Sequence, residues 1–177
     1  MIYLMKVIIG LGNPGERYIG NRHNAGFLAL DALASKLGVE SWESKFGSLV
    51  GKTPGVILVK PQTFMNQSGR AVNEIVNFYK TSLDDLVVVH DDLDIKLGEY
   101  KIVNGVGPKI HNGINSIEDS LGNGSFWRVR LGIDSRPSGE VRTPGEDYVL
   151  SDFTFEEKND LLEVIDAAVK EIIIKLG

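Results

Sequence analysis

The sequence predicts an α/β fold: a single-domain three-layer sandwich in which helices cover both faces of a mixed, mostly parallel sheet. Short apolar segments such as residues 86–90 (LVVVH) are typical of strands buried in a parallel sheet. These segments alternate along the chain with segments of helical periodicity, which is the order found in α/β folds. The 177 residues contain no repeat or linker, so we expect one domain spanning residues 1–177.

Turn and end signals separate the elements in the first half of the chain. Gly38 follows an apolar series of helical spacing and suits the C-terminal end of a helix. Thr53-Pro54-Gly55 is a turn signal between two strands. The predicted elements are a strand at 3–9, a loop at 10–23, a helix from about 24 to 37, strands near 46–52 and 55–60, and a helix from about 68 to 80.

The second half continues the alternation and ends in a long helix. Thr154 and Glu157 predict a capping box at its start, in which each side chain accepts a hydrogen bond from the backbone of the other residue. The predicted elements are strands at 86–90 and 99–103, a loop at 104–112, a helix at 113–121, a strand at 126–133, a polar loop at 134–146 and an amphipathic helix at 154–176.

Composition and charge restrict the function classes. The net charge of −5 argues against a general nucleic-acid binder, so any contact with nucleic acid needs a local basic surface. The absence of cysteine excludes disulfides and thiolate zinc sites. The N-terminal residues lack the pattern of a signal peptide, and the longest apolar runs are too short to span a bilayer. We therefore expect a cytoplasmic protein without membrane contact.

A glycine-rich pattern follows the first predicted strand. Gly10, Gly12 and Gly15 match the dinucleotide-binding pattern G-x-G-x-x-G. In that fold the glycines open the helix that holds the pyrophosphate, whereas here Pro14-Gly15 predicts a type II turn and the helix begins only near Asn24. No second strand ends in an acidic residue at the required distance. This context disfavours nucleotide binding.

The three histidines are the candidates for acid–base chemistry. His23 and Asp91 both follow predicted strands, and the carboxyl ends of parallel strands form the ligand-binding edge of a sheet. A carboxylate bonded to one imidazole nitrogen leaves the other nitrogen as a base. The alternatives are that His23 caps a helix, that His90 is a hydrogen-bonded core residue and that His111 is an ordinary loop residue.

Three asparagines, Asn13, Asn66 and Asn112, lie in loops beside strand or helix ends. Each offers a donor and an acceptor without charge, which suits a peptide backbone or a sugar hydroxyl, although Asn66 is alternatively a helix N-cap. No serine or cysteine lies in a nucleophile-elbow sequence, so attack by a water that His23 activates is the simpler mechanism. The acidic segment 91–94 lacks the remaining ligands of a known metal loop, and we expect no metal or cofactor.

Five sequence blocks together identify a family. They are Gly10-Leu-Gly-Asn13-Pro-Gly15, Tyr18 with Arg22-His23-Asn24-Ala25-Gly26, Pro61-Gln-Thr-Phe64-Met65-Asn66, His90-Asp91-Asp92-Leu93-Asp94 and His111-Asn112-Gly113. In this order and spacing, the chain resembles the bacterial-type peptidyl-tRNA hydrolases over essentially its whole length. The resemblance implies a monomeric α/β globule that cleaves the ester between a nascent peptide and the 3′ end of tRNA, with peptidyl-tRNA as its partner.

The resemblance also implies a role for each matching side chain. His23 is the catalytic base that activates water, and Asp91 is its orienting carboxylate. His111 borders the tRNA-facing rim. The other matching residues bind substrate. Asn13, Asn66 and Asn112 hold the peptide and the terminal ribose, and Tyr18 and Met65 line the cleft.

Four features depart from the family's pattern. Lys109-Ile110 replaces a usual Gly-Gly, so we expect a stiffer and bulkier loop. Val103 occupies a commonly basic position, and Asn21 replaces a usual threonine. The chain ends at Gly177, somewhat short of many relatives, and we expect it to lack a basic C-terminal tail. None of these changes touches the catalytic pair, but two of them affect contact with tRNA.

An acidic protein needs some cationic surface to hold tRNA. Four basic residues fall in or beside two predicted strands and the loop between them. If these strands are neighbours, the side chains form one patch that meets phosphates of the acceptor stem; alternatively, they are ordinary solvated surface residues. The four residues are Lys101, Lys109, Arg128 and Arg130.

Two other functions remain open on sequence alone. A non-catalytic RNA-binding or protein-binding relative would share the fold, although a binder has no need of both His23 and Asp91. A hydrolase of other acyl esters or small peptides would fit the acidic net charge. Cleavage of N-blocked aminoacyl-tRNA, beside a small ester of the same acyl group, distinguishes the three.

Overall fold

The computed structural model describes residues 5–138 and 142–176. Within them, strands and helices alternate along the chain, and seven strands form one sheet. The strands are β1 (Lys6–Gly10), β2 (Glu43–Lys45), β3 (Ser48–Thr53), β4 (Val56–Pro61), β5 (Leu86–Lys96), β6 (Tyr100–Asn104) and β7 (Trp127–Asp134). The helices are α1 (Ala25–Leu37), α2 (Ser68–Tyr79), α3 (Asn112–Leu121), α4 (Gly145–Val149) and α5 (Phe155–Leu176).

The strand order places the parallel part of the sheet at its centre. The order is β2-β3-β4-β1-β5-β7-β6, with parallel pairing from β4 through β1 and β5 to β7. The outer strands β2, β3 and β6 pair antiparallel. Consecutive residues of β1 are apolar because both faces of the central sheet are buried, as Val7, Ile8 and Ile9 show. The predicted mixed sheet is confirmed.

Helices on both faces of the sheet complete the three predicted layers. Ile8 joins the core beneath α1 and α5, whereas its neighbours Val7 and Ile9 join the core beneath α2 and α3. This division follows from the strand geometry, since successive side chains of a strand point to opposite faces. Over residues 5–138 and 142–176, no helix is both long and apolar enough to cross a membrane.

The fifth strand is longer than predicted. β5 continues past His90 to Lys96, because Asp91 and Asp92 keep the parallel pairing with β7 before the register shifts. Carboxylates are uncommon in strands, so the apolar pattern ended at residue 90 while the strand itself did not. Asp91 is therefore fixed within the sheet instead of following it.

The other differences are small. β2 and α4 were not predicted, and both are short, with three and five residues. α4 begins inside the predicted polar loop at 134–146. Residues 3–4 of the first predicted strand and residues 139–141 of that loop lie outside the described residues.

Two predicted helix ends are confirmed by their geometry. Gly38 follows α1 with a left-handed φ of 69°, a conformation that glycine adopts without steric cost. At the start of α5, the Glu157 N–H donates to Thr154 Oγ1 at 3.2 Å, and the Thr154 N–H donates to Glu157 Oε2 at 2.8 Å. These two bonds form the predicted capping box.

The glycine pattern after β1 allows close packing against the start of α1. A Cβ atom at Gly10 would lie 2.5 Å from the carbonyl oxygen of Gly26, and one at Gly12 would lie 2.6 Å from the ring of Phe27. Gly15 has the expected positive φ, 109°, but its ψ of 147° differs from that of a type II turn. The predicted turn type was therefore wrong, although the need for glycine was correct.

We predict that Gly69→Ala lowers the free energy of unfolding by about 1–3 kcal/mol, the usual cost of overpacking. A Cβ atom at Gly69, in α2, would overlap the backbone carbonyl oxygen of Ser116 in α3. Urea denaturation measures the change. Asn77→Ala, at an exposed position of α2, is the control and should be nearly neutral. A Gly69→Ala protein as stable as the wild type would show that α2 and α3 separate without cost.

Candidate active site

Three segments converge where β1 ends beside the middle of β5. The loop after β1 leads into a short helical turn, Arg22–Asn24, that carries His23. Asp91 lies inside β5, and His111 is the N-cap residue of α3. All three side chains are buried. The fold thus brings the predicted base and the predicted carboxylate together, with a second histidine beside them.

The imidazole of His23 contacts both carboxylate oxygens of Asp91. Its Nδ1 atom lies 2.8 Å from Oδ1 and 2.9 Å from Oδ2. An ionised carboxylate only accepts hydrogen bonds, so Nδ1 carries the proton and Nε2 keeps its lone pair. Among the described residues Nε2 has no hydrogen-bond partner, and it is not sealed from solvent. His23 is therefore held as the tautomer that a general base requires.

The charges of this pair stabilise each other. Burial disfavours a proton on His23, but the attraction and the hydrogen bond of Asp91 outweigh burial and raise the pKa of His23 above its ordinary value. Burial also disfavours ionisation of Asp91, but His23 and His111 hold the pKa of that carboxyl well below its usual range. The site therefore stabilises the imidazolium that forms when His23 accepts a proton.

His111 lies inside the site, not at a tRNA-facing rim. Its Nε2 atom lies 2.9 Å from Asp91 Oδ1, and its ring centroid is 4.9 Å from that of His23. Its Nδ1 atom accepts the backbone N–H groups of Gly113 at 3.1 Å and Ile114 at 3.3 Å. The expected contact of His111 with substrate is corrected, because both of its ring nitrogens are bonded within the protein and the residue is buried.

His90 is the core histidine that its place at the end of an apolar run suggests. Its Nδ1 atom donates to the backbone carbonyl oxygen of Asp91 at 2.7 Å, and its Nε2 atom is buried without a partner among the described residues. Burial holds the pKa of His90 well below its ordinary value. Its neutral ring packs edge-on against His111, with centroids 4.9 Å apart.

Arg22 anchors the turn that carries His23. Its guanidinium donates to Ser151 Oγ at 2.9 Å, to the carbonyl oxygen of Asp152 and to Glu157. The same group lies over the ring of Tyr148, 4.3 Å from its centroid. These contacts tie the turn to the segment before α5. This role of Arg22 could not be predicted from the sequence, because its partners lie about 130 residues away.

Asn13 is held from two sides in the loop after β1. Its Oδ1 atom accepts the Met65 N–H at 2.8 Å, and its backbone exchanges two hydrogen bonds with the Asn24 side chain, at 2.9 and 3.0 Å. The Nδ2 group of Asn13 has no partner in the described part of the chain and is available to donate to a ligand. Asn24, which the sequence analysis left without a role, fixes this orientation.

The other two asparagines are exposed on neighbouring segments. Asn66 lies in the helical turn Met65–Gln67, and Gln67 is the N-cap residue of α2. The alternative that Asn66 caps this helix is therefore excluded. Asn112 is the first residue of α3 and follows His111 directly. Both side chains lack protein partners within residues 5–138 and 142–176, so they are open to a ligand.

Two aromatic side chains pack against each other beside these segments. Tyr18 and Phe64 pack edge to face with centroids 6.4 Å apart, and Phe64 is 52% exposed. Met65, in contrast, is buried beneath this surface, close enough to Gly113 that a Cβ atom there would meet its sulfur at 2.5 Å. Met65 therefore supports the cleft from below instead of lining it. The sequence alone did not show that the ring of Phe64 is exposed, so its place in the site was not predicted.

The two arginines of the predicted basic patch are buried. Arg128 and Arg130 alternate on β7, with exposures of 2% and 9%. Arg128 pairs with Glu118 and donates to the carbonyl oxygens of Gly107 and Gly124. Arg130 donates to Asp92 at 2.6 Å. The expectation that these arginines meet phosphates is wrong, because their guanidinium groups bind acidic and carbonyl partners inside the protein.

The two lysines of that patch remain exposed. Lys101 lies on β6, opposite Arg130, and Lys109 lies in the loop before α3. The backbone N–H of Lys109 donates to Asp94 Oδ2 at 2.9 Å, which holds the loop while the side chain stays in solvent. Ile110 beside it is 79% exposed. The patch thus reduces to two lysines.

His23, Asp91 and His111 have ligand atoms close enough together for a metal ion, all within 4.8 Å. The hydrogen bonds do not fit one. Because Nδ1 of His111 accepts two backbone N–H groups, its Nε2 atom carries the proton and has no lone pair for a metal. The three side chains therefore suit a chain of hydrogen bonds better than a metal centre.

Comparison with known proteins agrees with this geometry. The family model described as Peptidyl-tRNA hydrolase matches residues 7–176. A peptidyl-tRNA hydrolase of Citrifermentans bemidjiense is 47% identical, with 97% of this chain and 93% of that protein covered, and one of Brevibacillus brevis is 46% identical over 93% and 87%. The crystal structure of peptidyl-tRNA hydrolase from Acinetobacter baumannii is 31% identical, with a TM-score of 0.86 over 98% of this chain and 89% of that one. The chain belongs to the peptidyl-tRNA hydrolase family.

Proposed function

We propose that this enzyme hydrolyses the ester bond between the peptide and the tRNA of peptidyl-tRNA, using a water molecule that His23 activates. The observation that carries the proposal is the contact of His23 Nδ1 with both oxygens of Asp91, which leaves Nε2 unprotonated and accessible. Family membership supports the substrate, since the relatives are named for it.

The reaction needs one proton acceptor and no covalent intermediate. His23 Nε2 takes a proton from water as the water oxygen attacks the ester carbonyl carbon. The ester bond then breaks, and the same proton passes from His23 to the ribose oxygen of the departing tRNA. Asp91 stabilises the imidazolium between these steps. General-base catalysis typically contributes about 10²- to 10⁴-fold, which suits an already labile ester.

Substrate binding falls to the side chains that the protein leaves without partners. Asn13 offers Nδ2, and Asn66 and Asn112 offer complete amides, to the peptide backbone and the terminal ribose. Tyr18 and Phe64 present faces on which a base of the single-stranded 3′ end stacks. Lys101 and Lys109 meet acceptor-stem phosphates.

The enzyme works as a monomer of one domain in the cytoplasm, without metal or cofactor. A non-catalytic RNA-binding role is disfavoured. Burying the Asp91 carboxylate costs desolvation free energy, and a protein that only binds RNA gains nothing from the tautomer of His23 that this carboxylate fixes.

The first test is cleavage of N-acetyl-aminoacyl-tRNA. We expect turnover that persists in EDTA and that His23→Ala abolishes while its far-UV circular dichroism spectrum stays that of the folded wild type, although the thermal unfolding temperature falls because the buried Asp91 loses a donor. A small ester of the same acyl group is the parallel substrate. Faster cleavage of the small ester than of the tRNA would contradict the proposal and favour a general acyl esterase.

We predict that Asp91→Asn lowers kcat/KM by about 10²- to 10⁴-fold, because an amide donor facing Nδ1 moves the proton of His23 to Nε2. In the wild type, kcat/KM falls as pH drops through the raised pKa of His23. Without the carboxylate this pKa decreases, so the acid limb of the pH–rate profile moves to lower pH.

The control for Asp91→Asn is Asp94→Asn, which changes a nearby exposed carboxylate that accepts only a backbone bond from Lys109. We expect this variant to keep both the rate and the acid limb of the wild type. An acid limb that stays in place in Asp91→Asn would show that His23 is not the titrating base.

We predict that Lys101→Ala with Lys109→Ala weakens cleavage of N-acetyl-aminoacyl-tRNA but spares a minimal ester without the acceptor stem. Each lost phosphate contact also reduces the slope of log K against log salt by roughly 0.9 on duplex. Lys158→Ala with Lys170→Ala, two exposed lysines of α5, is the matched control. Equal losses on both substrates would show that Lys101 and Lys109 support the fold instead of the tRNA.

A further inference from the structure

We propose that His111 is a positioning residue: the start of α3 holds it as a neutral imidazole, and it fixes the Asp91 carboxylate that orients His23. The catalytic part of this proposal rests on the proposed function. His111 is buried, and both of its ring nitrogens are bonded within the protein. We therefore infer that it does not contact the reacting ester. It acts through Asp91, with which it shares a 2.9 Å hydrogen bond.

The helix assigns the tautomer of His111. The N–H groups of Gly113 and Ile114 are among the donors that a helix N-terminus leaves without intrahelical partners, and both point at Nδ1. Nδ1 is therefore an acceptor and holds no proton. The single proton of the neutral ring lies on Nε2, which donates it to Asp91 Oδ1.

The same contacts oppose a second proton on His111. A proton on Nδ1 would face two N–H donors and the positive end of the α3 dipole, and both backbone donors would lose their acceptor. Of the two imidazoles on Asp91, only His23 is therefore free to take up the proton of the reaction. The α3 N-terminus thus distinguishes the two histidines: His23 accepts the proton of the reaction, and His111 positions the Asp91 carboxylate.

Among the charged groups that the described residues place around His111, the Asp91 carboxylate favours a second proton on the ring, but that proton would have to go to Nδ1, which faces the N-terminus of α3. Asp91 faces its Nε2 atom, and His23 faces the same carboxylate. His90 packs against the ring from β5 and is neutral. Behind His90 lies Arg130, whose charge is paired with Asp92 at 2.6 Å.

Two donors fix the rotation of the Asp91 carboxylate about its Cβ–Cγ bond. His23 spans both oxygens, and His111 adds a second donor to Oδ1 from α3. Without His111, the Asp91 carboxylate would keep its attraction for His23 but lose a fixed orientation about its own Cβ–Cγ bond. A looser carboxylate would hold Nε2 of His23 less firmly toward the attacking water.

Two substitutions separate the roles of the two nitrogens of His111. His111→Gln places an amide N–H where Nε2 donates to Asp91, but it leaves α3 without its cap. His111→Asn places an amide oxygen where Nδ1 caps α3, as asparagine commonly does, but it leaves Asp91 without its second donor. The pair tests donation and capping independently.

We expect His111→Asn to fold, with some loss of thermal stability because the buried Asp91 carboxylate loses one donor, and to lose about ten- to a hundredfold in kcat, the size expected for a hydrogen bond to a charged group. KM for N-acetyl-aminoacyl-tRNA should be unchanged, because His111 does not contact substrate. We expect His111→Gln to be less stable but to recover most of kcat. Unchanged kcat with a raised KM in both variants would overturn the proposal in favour of a substrate contact. A glutamine variant no faster than the asparagine variant would also overturn it.

A titration of the free protein gives a readout that needs no activity. In His111→Asn, Asp91 no longer shares its charge with a second donor, so the NMR titration midpoint of His23 should rise above that of the wild type. In His111→Gln it should stay in place. An unmoved midpoint in His111→Asn would contradict the role of His111. If the wild type fails to cleave the tRNA substrate, the proposed function fails, and this titration still decides whether His111 controls Asp91.

Discussion

The burial of one carboxylate, Asp91, is the constraint on which the active site depends. An ionised group inside the central sheet is tolerated only when it is hydrogen-bonded and paired. Its oxygens receive the N–H groups of His23 and His111, which come from two different segments of the chain. The interaction that stabilises the buried charge therefore also fixes the tautomer of the base. The same hydrogen bonds therefore contribute to the stability of the fold and to the catalytic state of His23.

The surrounding charges serve mainly to hold these segments in place. Arg22 ties the turn of His23 to the segment before α5. Arg128 donates to the carbonyl oxygen of Gly107 in the loop before α3, and Arg130 donates to Asp92 in β5. These three arginines, two of which were expected to meet phosphates, thus bind groups of the protein itself. Of the four cations expected to meet phosphates, the described residues leave Lys101 and Lys109 exposed, so this acidic protein should bind tRNA with a shallow salt dependence and rely on asparagine and aromatic contacts for its substrate.

Sequence patterns predicted the layers of the fold and the meeting of His23 with Asp91, because periodicity and strand ends are local properties of a chain. The extension of β5 through Asp91 was missed, since its partner strand lies 40 residues away. The roles of His111, Arg128 and Arg130 were also missed. A loop histidine or a strand arginine has the same local pattern whether it faces solvent or a buried carboxylate, and only tertiary contacts distinguish the two.

The most direct test of this account is the nitrogen chemical shifts of the three histidine rings in the wild-type protein, followed over pH by NMR. The account predicts that His23, when neutral, carries its proton on Nδ1 and takes up a second on Nε2 as pH falls. His111, when neutral, should carry its proton on Nε2. A neutral His23 with its proton on Nε2, or a neutral His111 with its proton on Nδ1, would contradict the account.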